Sequence, residues 1–105
     1  MSHGVDHTDH RSHRDPRLSP IDFLRFSDGM WRLLCVDPQD YTNRLRHSDY
    51  VRMFHETGYE LLHEEPTAND KMAADAHTLP LWGRFRDMSA TDAETAWSLF
   101  VARPL

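Results

Sequence analysis

Between Tyr41 and Glu65 the chain changes its hydrophobic period at a single glycine, and that change constrains the fold more than any other feature. Upstream of Gly58, Tyr50, Val51 and Phe54 gather with Met53 on one side of about three helical turns, while Arg52, His55 and Glu56 fall mainly on the other. Ser48 is a suitable N-cap, Asp49 suits the positive end of a helix, and Gly58 supplies the left-handed residue that ends one. Downstream the period becomes 2. Tyr59, Leu61 and His63 alternate with Glu60, Leu62 and Glu64, and Pro66 is expected to close the strand. A helix over 47–57 feeding a strand over 59–64 is half of an α/β unit.

The rest of the chain is read around that unit. Residues 2–5 are the end of a short strand, and 6–18 is a polar loop, rich in His, Asp and Arg, on a rim outside any core. Ser19-Pro20-Ile21-Asp22 has the form of a helix start, opening a helical insertion over 19–35 that Asp28-Gly29 interrupts and Asp37-Pro38 stops. Residues 65–79 read as a linker in which Lys71 to Ala76 make at most a brief turn. Ser89 to Asp92 form a second capping signal for a short helix through Ala96. Trp97 to Ala102 is a continuous apolar run of the kind buried on both faces, so the last strand belongs inside the sheet.

Composition narrows the class. One hundred and five residues make one small domain, and 39% hydrophobic residues with a mean hydropathy of −0.70 leave little with which to build a core. Residues 1–52 carry eight basic and eight acidic groups and 53–105 carry four and nine, giving the net charge of −5. No basic stripe is interleaved with aromatics, which argues against nucleic acid as a partner. The single cysteine, Cys35, fits a reducing cytoplasm, and no apolar run is long enough for a membrane span or a secretory leader.

A resemblance to a known family enters at the same central stretch. Asn43-Arg44-Leu45-Arg46, then Ser48-Asp49-Tyr50, then Thr57-Gly58-Tyr59-Glu60, resemble the C-terminal part of class I S-adenosylmethionine-dependent methyltransferases. Ser2-His3-Gly4-Val5-Asp6 with Asp9-His10 resembles the end of a central strand in that family. Leu24-Arg25-Phe26-Ser27 with Trp31 resembles the helix that follows, and Arg84-Phe85-Arg86 with Ser98 to Arg103 resembles the closing segment. The resemblance spans nearly the whole chain but only about half of the family's domain. It implies a Rossmann-like α/β remnant of about three strands with covering helices, the last strand antiparallel and central.

It also implies a function, methyl transfer from S-adenosylmethionine to a small acceptor. The four glycines lie far apart and form no phosphate-cradling turn, so no cofactor-binding residue is assigned and none is expected in this chain alone. Asp6, His7 and His10 are the candidate bases, at the carboxyl end of a strand where open α/β sheets bind ligands. Tyr41, Asn43, Arg44 and Trp31 are the candidate substrate contacts. Each has a structural reading beside it: Arg44 as an ion-pair partner of Asp6 or Asp9, and Trp31 as a core anchor. His3, His7, His10 and His13, spaced four, three and three apart, would share a helix face and suit a metal ion, but Gly4, Ser12 and Pro16 oppose a helix there, and no metal site is assigned. An exposed sheet edge where the missing half would pair implies a homodimer or a complementary N-terminal half. A non-enzymatic α/β domain that works by pairing through that edge is the competing reading.

Overall fold

The structure, a computed structural model, describes residues 1–35 and 43–105. Three strands, β1 (Ser2–Asp6), β2 (Tyr59–Ala68) and β3 (Thr95–Pro104), form one sheet in the order β1-β3-β2. Both neighbours pair antiparallel to β3, so β1 and β2 run parallel to each other with the carboxyl-terminal strand between them. Among the described residues four α-helices accompany them: α1 (Asp28–Leu34), α2 (His47–Glu56), α3 (Asp70–Thr78) and α4 (Ala90–Glu94). The fold is therefore α/β, with a central antiparallel last strand as expected.

Gly58 adopts φ +86° directly after α2, the left-handed stop that its sequence position demands. The start of α2 differs from expectation. Arg46, not Ser48, is the N-cap, and its backbone N–H donates to Asp49 Oδ2 at 2.8 Å. Ser48 is drawn away by Asp92, which accepts from both its backbone N–H at 2.9 Å and its hydroxyl, and so ties α4 to α2.

β2 continues through Pro66 to Ala68. A proline is tolerated because β2 has only β3 as neighbour, and an edge strand can leave one backbone nitrogen without a ladder bond. A register shift at Leu62 leaves that side chain exposed. The segment 65–79 is not a linker. Asn69 Oδ1 accepts from Met72 N at 3.0 Å and opens a nine-residue helix whose Met72 is fully buried. Residues with turn character here cap a helix.

The helical insertion also starts differently. Ser19 and Pro20 lead into one 3₁₀ turn, Asp22–Arg25, and the Ser19 hydroxyl donates to Asp75 Oδ2 at 2.6 Å. Ser27 caps α1 by accepting from Met30 N at 3.1 Å, so Asp28-Gly29 begins a helix where an interruption was expected.

β3 is central but has only one buried face. Ser98, Phe100 and Ala102 are buried, Leu99 and Val101 are half-buried, and Trp97 is 47% exposed. On the buried face Phe100 meets Phe54 and Tyr50 of α2, with ring centroids 5.5 and 6.0 Å apart. On the other face the Trp97 indole lies over Gly4. A Cβ at that position would stand 2.4 Å from Trp97 Cζ2, which reserves it for glycine. The larger apolar core sits beyond the sheet end, where Ile21, Phe23, Leu24 and Trp31 meet Met72, Leu81 and Phe85.

Because β3 alone is paired on both sides, its interior amides from Leu99 to Ala102 are expected to exchange with deuterium more slowly than those of β1 or β2. Truncating Phe100 to Ala should cost about 3–5 kcal/mol in urea denaturation. Equal exchange along the three strands would contradict the central placement.

Candidate functional site

The site is built at the carboxyl end of β1, where the last strand residue passes into the loop carrying the candidate bases. The loop is a polar rim except at His7 and Asp9, which turn inward. His7 donates its backbone N–H to the Ala96 carbonyl at 2.9 Å, and Asp9 donates to the Pro20 carbonyl at 2.7 Å, which pulls both side chains inside. Asp9 is then neutralised by Arg11, whose Nη2 lies 2.7 Å from Asp9 Oδ2 and 3.0 Å from Asp22 Oδ2. Burial of these polar groups is possible because each charge is paired and hydrogen-bonded.

The His7 imidazole, 1% exposed, enters a directed chain of hydrogen bonds. Its Nδ1 lies 3.0 Å from the Leu45 carbonyl, which can only accept, so Nδ1 carries the proton. Nε2 is then an acceptor, and the Ser98 hydroxyl at 2.8 Å donates to it. Ser98 Oγ in turn accepts from His47 Nδ1 at 2.7 Å. The outer nitrogen of His47 is buried without a hydrogen-bond partner among the described residues, 3.8 Å from Glu64 Oε1. Burial disfavours the imidazolium of His7 and is the main reason that its pKa falls from 6.5 to about 4; the Leu45 carbonyl opposes the shift, and the nearby Arg46 and His47 reinforce it. His7 is thus a neutral imidazole at neutral pH.

A serine hydrogen-bonded to an oriented histidine has the components of a nucleophile pair. Ser98 is 0% exposed, so no substrate reaches its oxygen, and the arrangement is a polar joint between β1, β3 and the entrance of α2. Sequence reasoning did not single out Ser98 or His47. The available signal was that Ser98 is a hydroxyl at an inward position of an apolar strand, where burial obliges it to find a partner.

The other candidates separate. Asp6 and His10 stay at the surface, with His10 Nε2 3.6 Å from Asp6 Oδ2 and the His10 ring 5.4 Å from that of His13. Thr8 joins them, donating to Asp6 Oδ1 at 2.7 Å and lying 3.0 Å from His13 Nε2. His3 is on β1 and His7 is inside, so the four histidines do not share a face. Among the described residues, no group of three or more His, Cys, Asp or Glu gathers as a metal site.

Arg44 is 5% exposed and committed to structure. Its guanidinium donates to the carbonyls of Phe23 and Phe26 and to Asp28, and stands over the Phe85 ring at 5.1 Å. The expected partners Asp6 and Asp9 are occupied by Thr8 and Arg11. Trp31 is a core residue, edge-on to Phe23 at 5.6 Å and stacked on Phe26 at 6.2 Å. Asn43 forms a local turn, accepting from Leu45 N at 3.0 Å and donating to Tyr50 Oη at 3.1 Å. Tyr41 lies outside the described residues. Among these residues no helix is long and apolar enough to cross a membrane. Comparison with protein-family models, curated proteins and solved structures returns no match.

Two outcomes are expected. His7 takes up a proton near pH 6.5 when unfolded but only near 4 when folded, so the unfolded state binds more protons in that window and stability falls as pH drops through it. The loss should approach about 3 kcal/mol. Urea midpoints at pH 7 and 4.5 should converge in His7→Gln relative to wild type. Ser98→Ala strips a partner from two buried imidazole nitrogens and should cost roughly 1–3 kcal/mol for each. Its effect should shrink in the His7→Gln background, and strict additivity of the two changes would speak against the chain.

Proposed function

We propose that this chain is the substrate-side, C-terminal portion of an S-adenosylmethionine-dependent methyltransferase domain acting on a small acceptor, and that it works only when a nucleotide-binding half completes it. The observation that carries this reading is the strand arrangement: β1 and β2 parallel, α2 crossing between them, and the carboxyl-terminal strand inserted antiparallel in the middle. That is the order the resemblance implies, and its motifs fall at matching points, with Asn43 to Arg46 entering α2 and Thr57 to Glu60 turning from α2 into β2. Edge strand β1 is the side on which the complementary half, or a second copy, would add strands.

Methyl transfer needs chiefly proximity and in-line geometry, with a base where the acceptor must lose a proton. Of the candidate bases, Asp6 and His10 form the pair that solvent, and so an acceptor, reaches. In this reading His10 takes the proton and Asp6 orients and stabilises the imidazolium. S-adenosylmethionine supplies the electrophilic methyl group from the other half.

One observation favours the second reading, a non-enzymatic domain that acts by pairing. Arg44, Trp31 and His7 all turn inward, leaving the substrate side with few convergent polar groups. A single experiment separates the two. The tagged chain is co-purified with the polypeptide that pairs with it, and the complex is photolabelled with methyl-tritiated S-adenosylmethionine. Label is expected on the paired polypeptide and not on this chain, and His10→Gln should lower methyl transfer by the complex roughly 10²–10⁴-fold. A complex that takes no label would leave the pairing domain as the function.

A further inference from the structure

A concavity lies between α3, α4 and the segment that joins them, sharing only Leu81 and Phe85 with the core described above. It has a volume of about 220 Å³ and is partly enclosed. That is well above the ~30 Å³ share of one liquid water. Its origin is in the sequence: Ala73 and Ala76 of α3 face Ala93 of α4, where longer side chains would have filled the gap, and Leu81, Phe85 and Met88 close the apolar wall.

Two opposite charges line this apolar space. Arg86, an exposed residue on the cavity's lining, donates its Nε to the Leu81 carbonyl at 3.1 Å, while its terminal nitrogens make no ion pair among the described residues. Glu94 lines the same cavity and likewise makes no ion pair there, so the two charges are not spent on each other. His77 adds an imidazole to the lining. Arg17, Arg52, Arg84 and Arg103 each hold a carboxylate instead.

We propose that the cavity between α3 and α4 is a binding site for a free α-amino acid with an apolar side chain, its carboxylate on Arg86 and its ammonium on Glu94. The chemistry selects this class. A simple carboxylic acid would satisfy the fork of Arg86 but meet the repulsion of Glu94, and a simple amine would reverse the problem. A residue within a peptide has neither charge. A zwitterion answers both, and its side chain takes the alanine-lined space, where apolar burial supplies the affinity. The site lies at the end of the sheet where β1 terminates, because α4 runs directly into Thr95 of β3 and His7 bonds to Ala96. The inference stands independently of the methyltransferase reading.

The test uses the full chain, calorimetric titration and thermal unfolding. L-Leucine is expected to bind with one-to-one stoichiometry and raise the Tm, and 4-methylpentanoate and 3-methylbutylamine, each lacking one charge, should bind at least tenfold more weakly. Arg86→Gln and the nearly isosteric Glu94→Gln should each weaken L-leucine binding at least tenfold. Ala93→Leu, which fills the cavity, should abolish binding while keeping the unfolding transition. The ligand series needs no variant, so a misfolded mutant would not blunt the test. No uptake of L-leucine by the wild-type chain, equal binding of the deaminated acid, or unaltered binding by Ala93→Leu overturns the proposal.

Discussion

Two guanidinium groups carried inside on one short segment hold this small fold together. Arg44 and Arg46, on either side of Leu45, are both buried, and a buried cation is costly unless its donors are satisfied. Backbone carbonyls do much of that work. Arg44 donates to Phe23 and Phe26 and so fixes the helical insertion; Arg46 Nη2 donates to His7 at 2.6 Å and so fixes the end of β1. Between them, the Leu45 carbonyl accepts a hydrogen bond from His7 Nδ1. Burial pushes the Arg46 pKa down to about 10, opposed by the field of Asp92 and Asp49, and the group remains charged at neutral pH. Its Nη1 has no hydrogen-bond partner among the described residues. Five donors in a rigid fork make arginine the cation that can reach carbonyls on separate segments, which lysine would not reproduce.

This dependence explains what the sequence made legible. The break at Gly58, the amphipathic α2, the strand that follows and the internal position of β3 are all encoded by neighbouring residues, and each is present. What was illegible is decided at a distance. Asn69 and Asp70 look like turn residues until Met72 finds a core in which to bury, and then they become the cap and first residue of α3. Ser48 is a good cap by type, yet Asp92, distant in sequence, competes for it and wins. The histidine-rich loop reads as solvated because it lacks apolar side chains; the burial of His7 and Asp9 within it comes from backbone bonds to Ala96 and Pro20 that no local pattern announces. For the site the same division holds. The Asp6–His10 neighbourhood follows from proximity along the chain, whereas the inward turn of His7, Arg44 and Trp31 depends on partners from other elements.

The sheet itself shows how a chain of low apolar content is arranged to use it. β3 alternates, with Ser98, Phe100 and Ala102 toward the helices and Trp97, Leu99 and Val101 on the opposite face. A run of apolar residues invites the reading of a strand buried on both sides, but the helices cover one side only. On the open side the Trp97 indole lies across Gly4, shielding part of the apolar surface with one large ring and one missing side chain. The exposed edge of β1 and this partly covered face are features that an added protein layer would complete, which is why pairing is common to both functional readings of the chain.

Residue type alone is a poor guide to chemistry here, because accessibility divides like from like. His7 and Ser98 have an activated-nucleophile arrangement in their bond directions, yet the joint they form is closed to solvent and joins β1 to the entrance of α2. His10, only three positions along, has a looser partner in Asp6 but faces solvent, and Arg86 with Glu94 opens onto a cavity without making an internal ion pair. Both accessible sets lie at the end of the sheet where β1 stops and β3 starts, since Asp6 pairs with Trp97 and α4 leads straight into Thr95. Buried arginines and imidazoles tie that end together; the groups left over around it are the ones that solvent reaches.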